Sequence, residues 1–250
     1  MRDDPAREQR LSDHANAGLF SPFHFHRVFH RITGATPGRF LAAVRMAEAQ
    51  RLLARTQLRI GDVCSDVGYS SLGTFSTQFR RMVGVSPSSF RILARRIGDR
   101  TVDSVDPARI DRPERGGQSL IAEVIGIGPG VVWTVLFDAN RHLASPVGHT
   151  LGILPGPQRL TAVRAGNYHT LSSYVPTGTR VLDALLDTPR PVGRLIADTP
   201  VVVRRTGGVQ TFPVHLRARR ICDPPMLSAL PLLALEDRVT APRSRHRVPM

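Results

Sequence analysis

Three histidines, His24, His26 and His30, fall inside ten residues of the stretch "SPFHFHRVFHRITGATPGRF" (residues 21–40). On a helix His26 and His30 lie one turn apart on one face, the spacing that a two-histidine metal site uses. No carboxylate or thiolate in the stretch completes a ligand set, so contacts to phosphates or bases are the better use of these side chains. No metal and no cofactor are expected.

Other chemistry-bearing groups are less organised. "GIGPGVVW" places Gly126, Gly128 and Gly130 as a phosphate loop would, but a strand follows where a helix N-terminus is needed, so a hairpin turn is expected. Asp138, His142, His149 and His169 fall on separate expected strands and loops without a nucleophile-base signature, and no catalytic residue is assigned. Cys64 and Cys222 are the only cysteines, too few for a disulfide framework or a cysteine metal cage. Cys64 reads as a small core residue. Cys222, in "RRICDPP", is the only thiol that a DNA-targeted alkyl-transfer enzyme could use, and such an enzyme is the rival reading from another class.

The elements that position these groups follow from composition and repeat. The chain has 250 residues, 41% of them hydrophobic, and a formal charge of +14. Two domains and a polyanionic partner such as nucleic acid are the expectation. All basic residues other than histidine are Arg, a uniform usage that suits coding bias better than recognition. "MRDDPAREQR" is too charged for a secretory leader, and "MLSALPLLAL", which contains Pro231, is too short to span a bilayer. A cytoplasmic protein with no membrane partner is expected.

"SPFHFHRVFHRITGATPGRF" recurs as "SSLGTFSTQFRRMVGVSPSSF" fifty residues later. Phe25, Phe29, Gly34, Pro37 and Phe40 meet Phe75, Phe79, Gly84, Pro87 and Phe90, whereas His24, His26 and His30 meet Thr74, Ser76 and Arg80. An internal duplication keeps its frame and varies its surface. Phe25, Val28, Phe29 and Ile32 form a stripe at helical spacing and are expected to be buried, as are Phe75, Phe79 and Met82. A shorter helical segment precedes each, closed by Gly18 and Gly68 at the turn, so each copy is a helix-turn-helix. Ser21 with Pro22, and Ser70 with Ser71, supply helix-capping chemistry. "RFLAAVRMAEAQRLLARTQ" between the copies, apolar through Leu41, Val44, Ala47 and Leu52, is expected to be one rigid connecting helix.

These residues, with "RMAEAQRLL" and "IGDVCSDVGYSSLGTFSTQFRRMVGVSPSSFR", resemble the DNA-binding domain of the AraC/XylS family over residues 11–91. The resemblance implies a transcriptional regulator whose partner is double-stranded DNA, with two recognition helices in successive major-groove segments. RNA polymerase and a second copy of the chain are candidate partners, and a small-molecule effector stays unassigned. Carried over to this sequence, the base-reading residues are Phe23, His26 and Arg27 in the first unit and Gly73, Thr74, Ser76 and Thr77 in the second. Ser21, His30, Arg31, Ser71, Arg80 and Arg81 are placed for phosphates. Three features depart from the family pattern: about ten residues stand before Leu11 where a first helix is usual, His14 replaces an apolar residue, and Thr77 replaces an Arg. The first unit is therefore expected to be less well supported, and the second to read bases weakly. Tyr69 reads as packing at the turn.

Residues 98–118, charged and interrupted by proline and a Gly pair, are expected to be a linker, leaving residues 1–97 to fold and bind DNA without the rest. From residue 119 to 222, short segments rich in Val, Leu and aromatics predict an antiparallel β-sandwich of regulatory or assembly role. "VVWTVLFDANRHLASPV" and "LPGPQRLTAVRAGNYHTLSSYVP" resemble a prealbumin-like or carboxypeptidase-regulatory-like sandwich, with Gln158 where an aromatic is usual. Val131, Trp133, Val135 and Phe137 share one strand face. The tail, 223–250, is apolar and then basic at Arg243, Arg245 and Arg247, and is expected to be partly disordered. The fold class expected is multidomain α and β, an all-α double helix-turn-helix followed by a sandwich; an architectural protein binding DNA without sequence preference is the second rival.

Overall fold

The computed structural model describes residues 4–7, 9–104, 118–125, 127–139, 147–186, 195–205, 209–225, 227 and 229. Gly126, His142, Pro231, Arg243, Arg245 and Arg247 lie outside the described residues. Six helices come first: α1 (Leu11–Ala17), α2 (Pro22–Thr33), α3 (Pro37–Arg55), α4 (Ile60–Asp66), α5 (Leu72–Val83) and α6 (Pro87–Ile97). Among the described residues a 3-10 turn (Val102–Ser104), eight strands and one further α-helix follow: β1 (Gln118–Val124), β2 (Gly130–Asp138), β3 (Gly148–Leu154), β4 (Gln158–Val163), β5 (Gly166–Pro176), α7 (Val181–Leu185), β6 (Leu195–Val203), β7 (Gln210–Val214) and β8 (Arg217–Ala218).

Sequence chemistry sets the helix ends. Pro stands in the first turn of α2, α3 and α6, where its missing N–H would have had no partner. The hydroxyl oxygens of Ser21, Thr36, Ser71 and Ser86 each accept a backbone N–H three residues on. Gly34 and Gly84 close α2 and α5 in the left-handed conformation, which costs glycine nothing.

The two units share this frame but not their packing. In α5, Phe75, Phe79 and Val83 are buried. In α2 no residue is fully buried; Phe25, Val28 and Phe29 are half-buried, and Ile32, expected within the buried stripe, is 60% exposed. The cause is what each helix has to pack on. Phe75, Phe79 and Phe90 enter the large core with Met46, Leu53, Val63 and Ile97, whereas Phe29 packs on the small buried patch of Ala35, Phe40 and Val44, beside Phe25.

The turns differ as well. The seven-residue helices align Leu11 with Ile60, whereas the recognition helices align Pro22 with Leu72; the second turn therefore holds one extra residue. Phe20 N–H reaches Ala15 O at 2.9 Å as Tyr69 N–H reaches Cys64 O at 3.0 Å. The counterpart of Gly68 (φ 81°) is thus Leu19 (φ 56°), and Gly18, expected at the turn, has an ordinary φ of −94°. Leu19 adopts a left-handed backbone that costs a branched side chain about 1–2 kcal/mol. Gly68 is needed twice over, since a Cβ there would lie 2.6 Å from Ala6 O.

The strands form two sheets, β4-β1-β7 and β3-β2-β5-β6-β8. The second is antiparallel throughout, but β1 pairs β7 in parallel, Leu120 with Gln210 through Val124 with Val214, which departs from the antiparallel sandwich expected. β1 and β2 sit in different sheets, so the glycine-rich segment between them joins sheets and is not the hairpin turn expected. Leu120, Ala122, Leu136, Leu160, Ala197, Val201 and Phe212 fill the space between the sheets. Thr134 and Ser172 pair there at 2.9 Å, each satisfying the other's hydroxyl away from water.

Strand β2 is buried on both faces. Val131, Trp133 and Val135, with Leu151 and Val175, turn away from the sandwich interior and join one core with Leu93, Ile97 and Val102 of the helical half. Residues 98–104, expected as linker, are packed: Val102 N–H donates to Thr179 O, Val181 N–H to Arg100 O, both at 2.8 Å, and Leu182 N–H to Gly98 O at 3.1 Å. Residues 105–117 lie outside the described residues. Arg55 meets Asp183 at 3.0 Å across the same junction.

Candidate nucleic-acid interface

Helix α2 carries Phe23 78% exposed, with His26, Arg27, His30 and Arg31 also exposed. Phe25, Val28 and Phe29 point the other way, toward the helical core. Arg27 Nη2 donates to His24 Nδ1 at 3.3 Å, and His24 packs on Phe20 with ring centroids 5.0 Å apart. The guanidinium is thereby held along the helix surface. Ser21 is exposed at the helix start, its hydroxyl oxygen accepting His24 N–H at 3.3 Å.

On α5, Gly73, Thr74, Thr77, Arg80 and Arg81 are exposed and Ser76 is half-buried. Gly73, Thr74, Thr77, Gln78 and Arg81 line one open groove. Arg81 Nη2 donates to Gln78 Oε1 at 3.0 Å, a pairing that sequence spacing alone does not announce because it depends on the side-chain rotamer. Ser71 caps the helix by accepting Thr74 N–H. The first turn of each helix is thus capped by its serine, and the last turn carries basic residues, His30 and Arg31 in α2 and Arg80 and Arg81 in α5.

The connecting helix positions the second unit through a residue that the sequence did not single out. Arg45 Nε donates to Pro5 O at 2.7 Å and Nη1 to Gly68 O at 3.1 Å, and its guanidinium lies 5.7 Å from the centre of the Tyr69 ring. Tyr69 packs on Phe75, and Cys64 Sγ donates to Tyr69 O at 3.5 Å. Burial pushes the Cys64 thiol up, which suits a core residue and not a nucleophile.

In the first unit His14 stands where the second has Val63, which is fully buried. His14 is half-buried, stacked on Phe25 and 3.0 Å from Gln9 Oε1. Burial holds its imidazole below the usual range. The unfolded chain, with a pKa of about 6.5, therefore binds more protons than the folded one, and the stability of this unit falls as pH drops below that value. Protection of the α1 and α2 amides relative to the intrinsic exchange rate at each pH is expected to fall between neutral pH and mild acid, and His14→Val is expected to abolish that fall and raise protection throughout. Unchanged protection in the variant would show that His14 is not the weak point.

On the sandwich, His149 stacks on Trp133 at 6.0 Å and His169 Nδ1 lies 3.5 Å from Asp198. They stand on β3 and β5. Among the described residues no three His, Cys, Asp or Glu side chains come together as a metal site would need, and no helix is long and apolar enough to cross a membrane.

A family described as a helix-turn-helix domain matches residues 15–92. Residues 15–92 are a helix-turn-helix domain. The match runs from the last residues of α1 through both recognition helices and the connecting helix into the first half of α6. Among curated relatives, the bifunctional transcriptional activator/DNA repair enzyme AdaA of Bacillus subtilis is 35% identical over 30% of this chain and 36% of its own. The HTH-type transcriptional regulator Rv1931c of Mycobacterium tuberculosis is 33% identical over 33% of this chain and 32% of its own. The HTH-type transcriptional activator AarP of Providencia stuartii is 30% identical over 33% and 61%. The chain thus spans about a third of the first two relatives and about three fifths of the third.

Proposed function

We propose that the chain is a sequence-specific DNA-binding transcriptional regulator, reading two successive major-groove segments with α2 and α5. The observation that carries this reading is the pair of capped, cation-bearing helices joined by one uninterrupted nineteen-residue helix, a rigid spacer of the kind that fixes two reading heads on one duplex. The formal charge of +14 supports a polyanionic partner, and binding of this kind involves no chemical step. RNA polymerase and a second copy of the chain are the protein partners this role would use, in the cytoplasm.

In the first unit Phe23, His26 and Arg27 offer apolar contact to a thymine methyl, a ring donor and a bidentate partner for guanine. In the second, Gly73, Thr74, Ser76 and Thr77 are short, and the longer Arg80 and Arg81 stand one turn on, beside phosphates, as His30 and Arg31 do in the first. The first helix is therefore assigned most of the discrimination and the second most of the anchoring. Arg27→Ala is expected to cost about 1–3 kcal/mol on the preferred site and to relax preference at one base pair, while Arg80→Ala weakens specific and random DNA alike and lowers the salt slope by about 0.9. Binding titrations on a footprinted site and on random duplex decide it. If Arg27→Ala weakens every sequence equally while Thr77→Ala erases preference, the two roles are exchanged.

A further inference from the structure

Arg80 and Arg81 are neighbours in sequence but not on the surface of α5. Arg81 follows Gly73 and Thr77 at one-turn spacing, with Thr74 and Gln78 beside them, and these residues line one groove on the side opposite to the buried Phe75, Phe79 and Val83. Arg80 lies about 100° round the helix from Arg81 and is not part of that lining among the described residues. Helical side chains lean toward the N-terminus, which carries the Arg81 guanidinium back over the turn of Thr77 and Gln78. The 3.0 Å bond from Arg81 Nη2 to Gln78 Oε1 holds it there. Gln78 is itself half-buried, and its Nε2 donates to Met82 Sδ at 3.5 Å, which turns the amide oxygen toward Arg81.

We propose that Gln78 is a positioning residue that aims Arg81 at a base, and that Arg81 so held reads a guanine in the major-groove segment taken by α5. This rests on the regulator reading above. It moves Arg81 from the phosphates, where its place in the last turn alone would put it, to a base edge, and leaves Arg80 with the backbone. Reach decides the assignment. Gly73, Thr74 and Thr77 are short, so a duplex edge seated in the groove meets Gln78 and Arg81 as the long polar side chains of its lining. One Nη2 hydrogen goes to Gln78, and the remaining N–H groups of the planar fork are left for a partner that offers two acceptors side by side. Guanine does so with O6 and N7, whereas adenine sets an amino donor beside its N7, which a guanidinium cannot satisfy. A fork held before binding loses less rotamer freedom when it docks, a preorganisation that a phosphate contact, tolerant of many orientations, does not call for. The second unit thereby gains one discriminating contact, and α2 keeps the larger share.

The test titrates the full chain and two variants, Arg81→Lys and Gln78→Met, against a random-sequence duplex and against a footprinted site with each single base-pair change in the half that α5 covers, over a range of salt. Arg81→Lys keeps the charge and loses the fork. It is expected to weaken binding to the footprinted site about 5- to 150-fold, to lose discrimination at one G·C pair, and to leave the salt slope and the affinity for random duplex unchanged. Gln78→Met keeps the length of the side chain and removes the acceptor, and is expected to lose discrimination at the same pair by a smaller factor. Emission of Trp133, the only tryptophan, and the thermal midpoint report that the core is intact. An Arg81→Lys chain that keeps its preference at every base pair overturns the base contact and leaves the regulator reading in place. A Gln78→Met chain that keeps the preference which Arg81→Lys removes overturns the positioning role. An unaltered chain that prefers no duplex over random sequence removes this proposal and the regulator reading together.

Discussion

Phe79→Ala is expected to destabilise the chain by about 3–5 kcal/mol, the range for deleting a fully buried phenylalanine, whereas Phe29→Ala, at the matching position of the first unit, is expected to cost roughly 1–2 kcal/mol because a half-buried ring loses only part of its 1.5–3 kcal/mol transfer term. Phe79 is wholly inaccessible and sits between Phe75 and Phe90, each with ring centroids 5.8 Å away. Phe29 touches Phe25 and Phe40 at 5.6 and 5.4 Å but has solvent on its remaining side. Urea unfolding of the two variants measures the difference. A total stability of about 5–15 kcal/mol leaves Phe79→Ala near the threshold of folding, while Phe29→Ala should retain the global transition and lose protection only in α1 and α2. Equal costs would mean that the two units are supported equally.

The second large effect is expected on cutting the chain after Ile97. Charge and proline content, from which residues 98–118 are expected to be a linker, predict an autonomous fragment. The shared core leads to the opposite expectation. Leu93 and Ile97 lie in one cluster with Val102, Val131, Trp133, Val135, Leu151, Val175, Val181 and Leu185. A fragment ending at Ile97 uncovers α6 and loses that cover at about 1.5–3 kcal/mol for each large side chain exposed, enough in two or three residues to use up most of a small domain's stability. It should unfold at lower urea concentration and with less cooperativity than the full chain, with α5 and α6 losing amide protection first. Trp133→Ala in the full chain is the milder form of the same lesion, at about 3–5 kcal/mol. A fragment that matches the full chain in midpoint and protection would show that the sandwich leaves the helical half unaided.

The helical half is legible in the sequence because its signals are local. Proline in the first turn, a hydroxyl before it, and phenylalanines at one-turn spacing fix α2, α5 and α6 without reference to anything distant. What periodicity cannot tell is how much partner surface waits for a stripe, and this is why Ile32 falls on a face expected to be buried that solvent nevertheless reaches. The ungapped repeat also conceals the extra turn residue, since matching Ser21 with Ser71 holds for α2 and α5 and fails by one for α1 and α4. In the second half the alternation of Val131, Trp133, Val135 and Phe137 is visible, but a strand buried on both faces does not say which face meets which layer. The parallel β1–β7 pairing depends on residues about ninety positions apart, and no window of sequence carries it. For the faces proposed to read bases, exposure of Phe23, Arg27 and Thr77 is what the structure adds.

The placement of β1 between β4 and β7 has a bearing on biosynthesis. The helical half leaves the ribosome first, yet the central strand of the smaller sheet cannot gain its second neighbour until residue 214 has emerged. At about 5–20 residues per second, the chain from Ile97 to Val214 takes on the order of ten seconds to make. During that interval Leu93 and Ile97 of α6 are without part of the core that they share with Trp133, Val135 and Val181. Translation speed through this stretch, and any chaperone that shields α6 while it lasts, would then govern how much of each newly made chain becomes competent to bind DNA.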